Sequence, residues 1–101
     1  MKILALEKDV PGVTNQEFTN EILGVQARKA WDLFYQSNIL HELYFSADTH
    51  KAVLMLECES ADQARQRLAE LPLMRAGLID FQIIPLVASS GSARARLFGQ
   101  K

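Results

Sequence analysis

The chain has 101 residues, 49% of them apolar, with a formal net charge of −1 and a single cysteine. That is the size of one domain able to bury a core without staples, and it excludes an internal disulfide and a cysteine-built zinc cage. The near-neutral balance offers no basic field to a phosphate backbone or an anionic lipid surface, so neither nucleic acid nor membrane is an expected partner.

The opening "MKILALEKDVPG" contains an apolar run too short for a signal peptide, and no stretch approaches a membrane span, so the sequence reads as a cytoplasmic protein. Residues 2–8 form a first strand, closed by a turn at Pro11 and Gly12. Next, "TNQEFTNEILGVQARKAWDLFYQSN" opens with Thr14 and Glu17 at capping-box spacing, which predicts one long helix to about residue 36. Its apolar residues fall on two sides. Phe18, Ile22, Val25 and Leu33 make one stripe, and Leu23, Ala27, Ala30, Trp31 and Phe34 make another. Gly24 costs that helix about 1 kcal/mol relative to alanine, which points to a bend or to close packing there.

The segment "ILHELYFSADTHKAVLMLECES" reads as a hairpin of two strands with Asp48 and Thr49 at its tip. Ser60 and Gln63 repeat the capping spacing. Ala61, Ala64, Leu68 and Leu71 then give a second helical stripe, which ends where Pro72 forbids continuation. A kink, "LPLMRAG", leads into a fourth strand over residues 78–86.

The predicted order is β-α-β-β-α-β. It is an α+β, ferredoxin-like arrangement, a four-stranded antiparallel sheet with both helices on one face. Hairpin pairing places His41, Leu43, Phe45, Ala52, Leu54, Leu56 and Cys58 on the helix-facing side. The other side carries Leu40, Glu42, Tyr44, Val53, Met55 and Glu57, too apolar for open water, so a second copy of the chain is expected to cover it in a homodimer. The domain spans residues 1–87. Residues 88–101 form a small, polar, basic tail, either flexible or docked on a neighbouring subunit through Leu97 and Phe98.

A chain of this order whose second helix runs into Leu71-Pro72-Leu73, a kink and a strand ending in Pro85-Leu86 resembles the muconolactone isomerase family. The similarity spans residues 30–86, and "ARKAW" in the first helix loosely matches that family's helix. The resemblance implies a dimeric α+β barrel, in which dimers also assemble into rings. It implies a pocket for a small organic acid or lactone, and an isomerisation by proton abstraction and return at carbon with no metal or organic cofactor. The family's proton-transfer glutamate stands just before the match to "KAW". Here those positions are Ala27, Arg28 and Lys29, with Glu21 more than a turn earlier and Asp32 just after.

Such chemistry needs a base, and a cation to hold an acid group. His41, expected on the apolar helix-facing side, is the candidate catalytic base, with a packed, hydrogen-bonded histidine as the alternative. Arg28 is the candidate clamp for a carboxylate, and Trp31 and Tyr44 are candidate walls for a flat ligand, against a solvated arginine and a core tryptophan. Glu42, Tyr44, Glu57 and Asp80 either converge inside the barrel or stay solvated at its rim. His41 and His50 lie near opposite ends of one strand, which speaks against a metal site, and Cys58 reads as a small buried hydrophobe. Three functional readings stay open. One is a small cofactor-free enzyme, one a non-catalytic dimeric ligand-binding or oligomer-forming module, and one a cofactor-independent monooxygenase using Trp31, His41 and Asn38.

Overall fold

Alternation at period two decides which side each strand buries, and the register shows how far it holds. In the computed structural model, which describes residues 1–88 without the side chains of Phe34 and Tyr35, four strands and three helices follow one another. They are β1 (Lys2–Asp9), α1 (Asn20–Tyr35), β2 (Leu40–Phe45), β3 (Ala52–Glu57), α2 (Ala61–Leu68), α3 (Pro72–Arg75) and β4 (Ile79–Leu86). The sheet is antiparallel in the order β2-β3-β1-β4, the ferredoxin-like topology. Ile3 lies between Leu56 and Pro85, and Ala5 between Leu54 and Ile83. Both are fully buried in a core completed by Leu33, Leu40, Ala64, Leu68, Leu71, Leu73 and Phe81. Most of the expected tail, including Leu97 and Phe98, lies outside the described residues. Among those described, no helix is long and apolar enough to cross a membrane.

The single long helix expected from Thr14 is divided. The Thr14 N–H donates to Glu17 Oε2 at 2.8 Å, but this pair closes only one 3-10 turn, Asn15–Glu17. Phe18 then leaves helical geometry, at φ −88° and ψ 73°, and packs against the core. Thr19 caps anew: its hydroxyl accepts the Ile22 N–H at 3.3 Å, and α1 starts at Asn20. Two caps thus stand in tandem, separated by the docking of Phe18. Gly24 sits within an unbroken helix, and a Cβ there would meet only Arg28 Nη1 at 3.7 Å, so the close packing anticipated at Gly24 is absent.

On the far side of the helices, Ser60 Oγ accepts the Gln63 N–H at 3.1 Å, and Gln63 Oε1 accepts the Glu59 N–H at 2.7 Å, starting α2. Pro72 does more than end a helix. It occupies the first position of α3, where its missing N–H leaves no hydrogen bond unmade. Gly77, at φ +72°, ends α3: its N–H donates to the Met74 carbonyl at 3.0 Å and the Leu78 N–H to the Leu73 carbonyl at 2.9 Å, the paired bonds of a Schellman motif. An added Cβ at Gly77 meets nothing within 4 Å, so Gly77→Ala isolates the backbone strain. It is expected to lower folding stability by about 1 kcal/mol in urea denaturation, and an unchanged midpoint would mean the left-handed turn is not required.

The largest departure is in β2. Its register with β3 steps from Leu40 opposite Leu56 to Glu42 opposite Met55, so Leu40 and His41 together face one partner residue. Leu40, not His41, takes the seat beside the helices and is 3% exposed, while His41 is exposed. The burial expected of His41 is therefore absent, because the apolar side chain gains more from leaving water. Beyond the bulge the pairing follows the alternation, with Leu43 opposite Leu54 and Phe45 opposite Ala52. The hairpin loop is closed by the Ser46 N–H to the Lys51 carbonyl at 2.9 Å and by the Lys51 N–H to Ser46 Oγ at 3.0 Å. At its tip the Thr49 N–H donates to Asp48 Oδ1 at 2.6 Å, and such hydrogen bonds hold the Asp48 carboxyl below the usual carboxylate range.

Candidate functional site

Helix α1 turns only part of its first apolar stripe onto the core, Val25 being 38% exposed. Ile22 packs there and Leu33 is buried, while Leu23 and Trp31 of the second stripe remain exposed, Trp31 at 61%. The Leu73 N–H donates to Gln26 Oε1 at 3.0 Å and ties α1 to α3. Between α1 and the sheet this leaves a cavity of about 880 Å³, within the range of small-molecule pockets. Leu54, Leu56, Ile79 and Phe81 contribute to it from the sheet, and Leu23, Ala27, Ala30 and Trp31 from α1. Leu43, Tyr44, Phe45 and His50 line it from the exposed hairpin. The Phe45 and His50 rings stack there, 4.9 Å between centroids and 10° apart, with His50 held at φ +57°. Tyr44 and Phe45 are 58% and 53% exposed, so with Trp31 the wall carries large aromatic surfaces turned to solvent.

The polar residues that line the cavity are Glu7, Gln26, His41, Glu42, Tyr44 and His50. The Tyr44 hydroxyl donates to Glu42 Oε1 at 2.8 Å, and that bond together with the carboxylate's charge pushes the phenol's pKa up. His41, Trp31 and Tyr44 are thus brought to one cavity. Arg28 is not: it is exposed, does not line the cavity, and has its guanidinium beside Gly24. Asn38, at φ +54°, is also outside the lining.

The four polar residues considered for the mixed face do not converge. Glu57 faces Lys2 at one end of β1 and pairs with the N-terminal amine at 3.5 Å, whereas Asp80 faces Lys8 at the other end and pairs with it at 3.8 Å. Cys58 is buried, which pushes its thiol's pKa up and makes it unreactive packing. Among the described residues no group of three His, Cys, Asp or Glu side chains is placed to hold a metal ion.

Glu7 was not singled out from the sequence. The alternation Ile3, Ala5, Glu7 carries it to the helix-facing side of β1, opposite Phe81, and its Oε1 accepts the Ala52 N–H at 2.9 Å. That alternation was the available signal.

No protein-family model matches the chain, and no curated protein matches it. A solved structure does: 5-chloro-2-hydroxyhydroquinone dehydrochlorinase from Burkholderia phenoliruptrix AC1100, in complex with 2,5-dihydroxybenzoquinone, has a TM-score of 0.60 and 19% identity, covering 88% of this chain and 96% of that one. At this identity the likeness shows the fold alone. It bears out the α+β, ferredoxin-like fold of the single chain, and does not show membership of the muconolactone isomerase family.

Proposed function

We propose that the chain is a small enzyme-like protein that binds a small cyclic organic compound in the cavity between α1 and the sheet and moves a proton on it without a cofactor. The observation that supports this best is the cavity itself: mostly apolar, of ligand size, with a few polar groups and an aromatic wall. In this reading Trp31 and Tyr44 flank a flat ligand, and His41, set out of the sheet by the bulge, exchanges the proton. The ring compound named with the structurally similar dehydrochlorinase is of the same kind. Arg28 is not part of the lining and so supplies no clamp for a carboxylate there, which favours lactones and hydroxylated rings over acids.

A non-catalytic binding module is the second reading, favoured by Ala27, Arg28 and Lys29 standing where the isomerases carry their glutamate. The monooxygenase reading loses Asn38 from the site. Self-association through the open sheet face belongs to both remaining readings, and a cytoplasmic setting accords with the lone, buried Cys58.

Thermal-shift screening with small lactones, hydroxylated rings and aromatic acids tests the common element. A ligand at a hundred times its Kd adds about 2.7 kcal/mol, a rise of roughly ten degrees or more in Tm for a domain of this size. Proton movement on any hit is then read as solvent-deuterium exchange at ligand carbon. No stabilisation anywhere in the panel would rule the cavity out as a ligand site, and binding without exchange would select the non-catalytic reading.

A further inference from the structure

The ionisable residues lining the cavity differ in how firmly they are held. His41, Glu42, Tyr44 and His50 are exposed, whereas Glu7 is only partly so and projects from β1, a central strand. Pairing of β1 with β3 ends at Leu6 opposite Val53, so the next β3 donor, the Ala52 N–H, bonds the Glu7 carboxylate in place of a main-chain carbonyl. That bond fixes one carboxylate oxygen and orients the group. The second, Oε2, accepts no hydrogen bond from the described residues.

The charges around it matter as much. Among the described residues no lysine or arginine lines the cavity, and the side chains of ionisable type that do are the Glu7 and Glu42 carboxyls, the Tyr44 phenol and the exposed His41 and His50. Glu42 already accepts the Tyr44 hydroxyl. A carboxylate ligand entering this apolar space would meet two carboxylates and no lysine or arginine of the described residues, while a neutral ligand's O–H would find a pre-set acceptor for a charge-assisted hydrogen bond.

Building on the ligand-site reading above, we infer that Glu7 anchors the ligand by accepting a hydroxyl or enol O–H from an uncharged ring, and that the cavity thereby selects such rings against carboxylates. Glu7 is a binding and specificity residue on a rigid element, so the geometry it imposes is set before the ligand arrives.

Three probes of similar size separate the terms: hydroquinone, which offers O–H donors; 1,4-dimethoxybenzene, the same ring without donors; and benzoate, the anion. Calorimetric titration of the full chain should give binding of hydroquinone about tenfold or more tighter than either of the others. Glu7→Gln keeps an oxygen for the Ala52 N–H but removes the charge. It should weaken hydroquinone by a similar factor and narrow the gap to benzoate, with the Tm of the free protein little changed. Hydroquinone binding equal in wild type and Glu7→Gln, or benzoate bound as tightly as hydroquinone by wild type, overturns the inference while leaving the cavity a ligand site. Failure of all three probes to bind wild type overturns the ligand-site reading and the inference with it.

Discussion

Leu56→Ala is expected to remove about 2–5 kcal/mol of folding stability, measured as a lowered urea midpoint with an unchanged slope. Leu56 is 2% exposed and sits opposite Ile3 on one side and Leu40 on the other, where the β2 bulge begins. It joins the central strand β1 to the edge strand β2, so its loss loosens both pairings. It also lines the cavity, and the space it vacates opens onto an existing void that the neighbours cannot close by collapsing. That places the expected cost in the upper part of the range. Against a total of about 5–15 kcal/mol for an ordinary domain, the variant stands close to unfolding. Leu43→Ala, two strand positions past the bulge but 39% exposed, is expected to cost well under half as much. A Leu56→Ala loss no larger than that of Leu43→Ala would contradict a core centred on the β1–β3 pairing.

The two substitutions differ in a way the sequence could not reveal. Alternation alone puts His41, Leu43 and Phe45 on one side, and two of the three stand as it predicts. The third does not, because an inserted residue changes parity at one point without altering the pattern on either side. Which of Leu40 and His41 is buried follows from competition for one seat, a tertiary question. The entry to α1 is similar. The spacing of Thr14 and Glu17 marks one cap, but the structure adds a second at Thr19, because Phe18 leaves the helix to meet the core.

Local punctuation was more legible. Ser60, Pro72 and Gly77 act within a turn of their own positions, so their roles follow from residue type. The site was only partly legible for the opposite reason. Placing Arg28 relative to a cavity needs the rotation of α1 about its axis, which two competing apolar stripes leave undetermined. Glu7 needed no such knowledge: its position after Ile3 and Ala5 is a strand-parity statement.

The face of the sheet away from the helices carries the other large expected effect. Leu4 lies between Met55 and Ile84, Leu6 between Val53 and Gln82, and Leu86 beside Lys2. These apolar side chains are only half-buried in the single chain. Charged pairs stand at both ends of the strip, Lys2 facing Glu57 and Lys8 facing Asp80. In the proposed two-fold, sheet-on-sheet dimer the strip meets its own copy, and Leu4 lies near its centre. Leu4→Lys would then bury a cation from each subunit without a partner, at a cost of several kcal/mol, enough to turn a micromolar dimer into a monomer. The chain should sediment as a dimer and Leu4→Lys as a folded monomer, with the helix-facing core intact. Leu4 does not line the cavity, although Glu42 and Tyr44 of the lining stand on its face of the sheet, so a monomeric variant that still binds ligand would make recognition independent of assembly. A wild-type monomer, or a variant that still sediments as a dimer, would remove the open face as the interface.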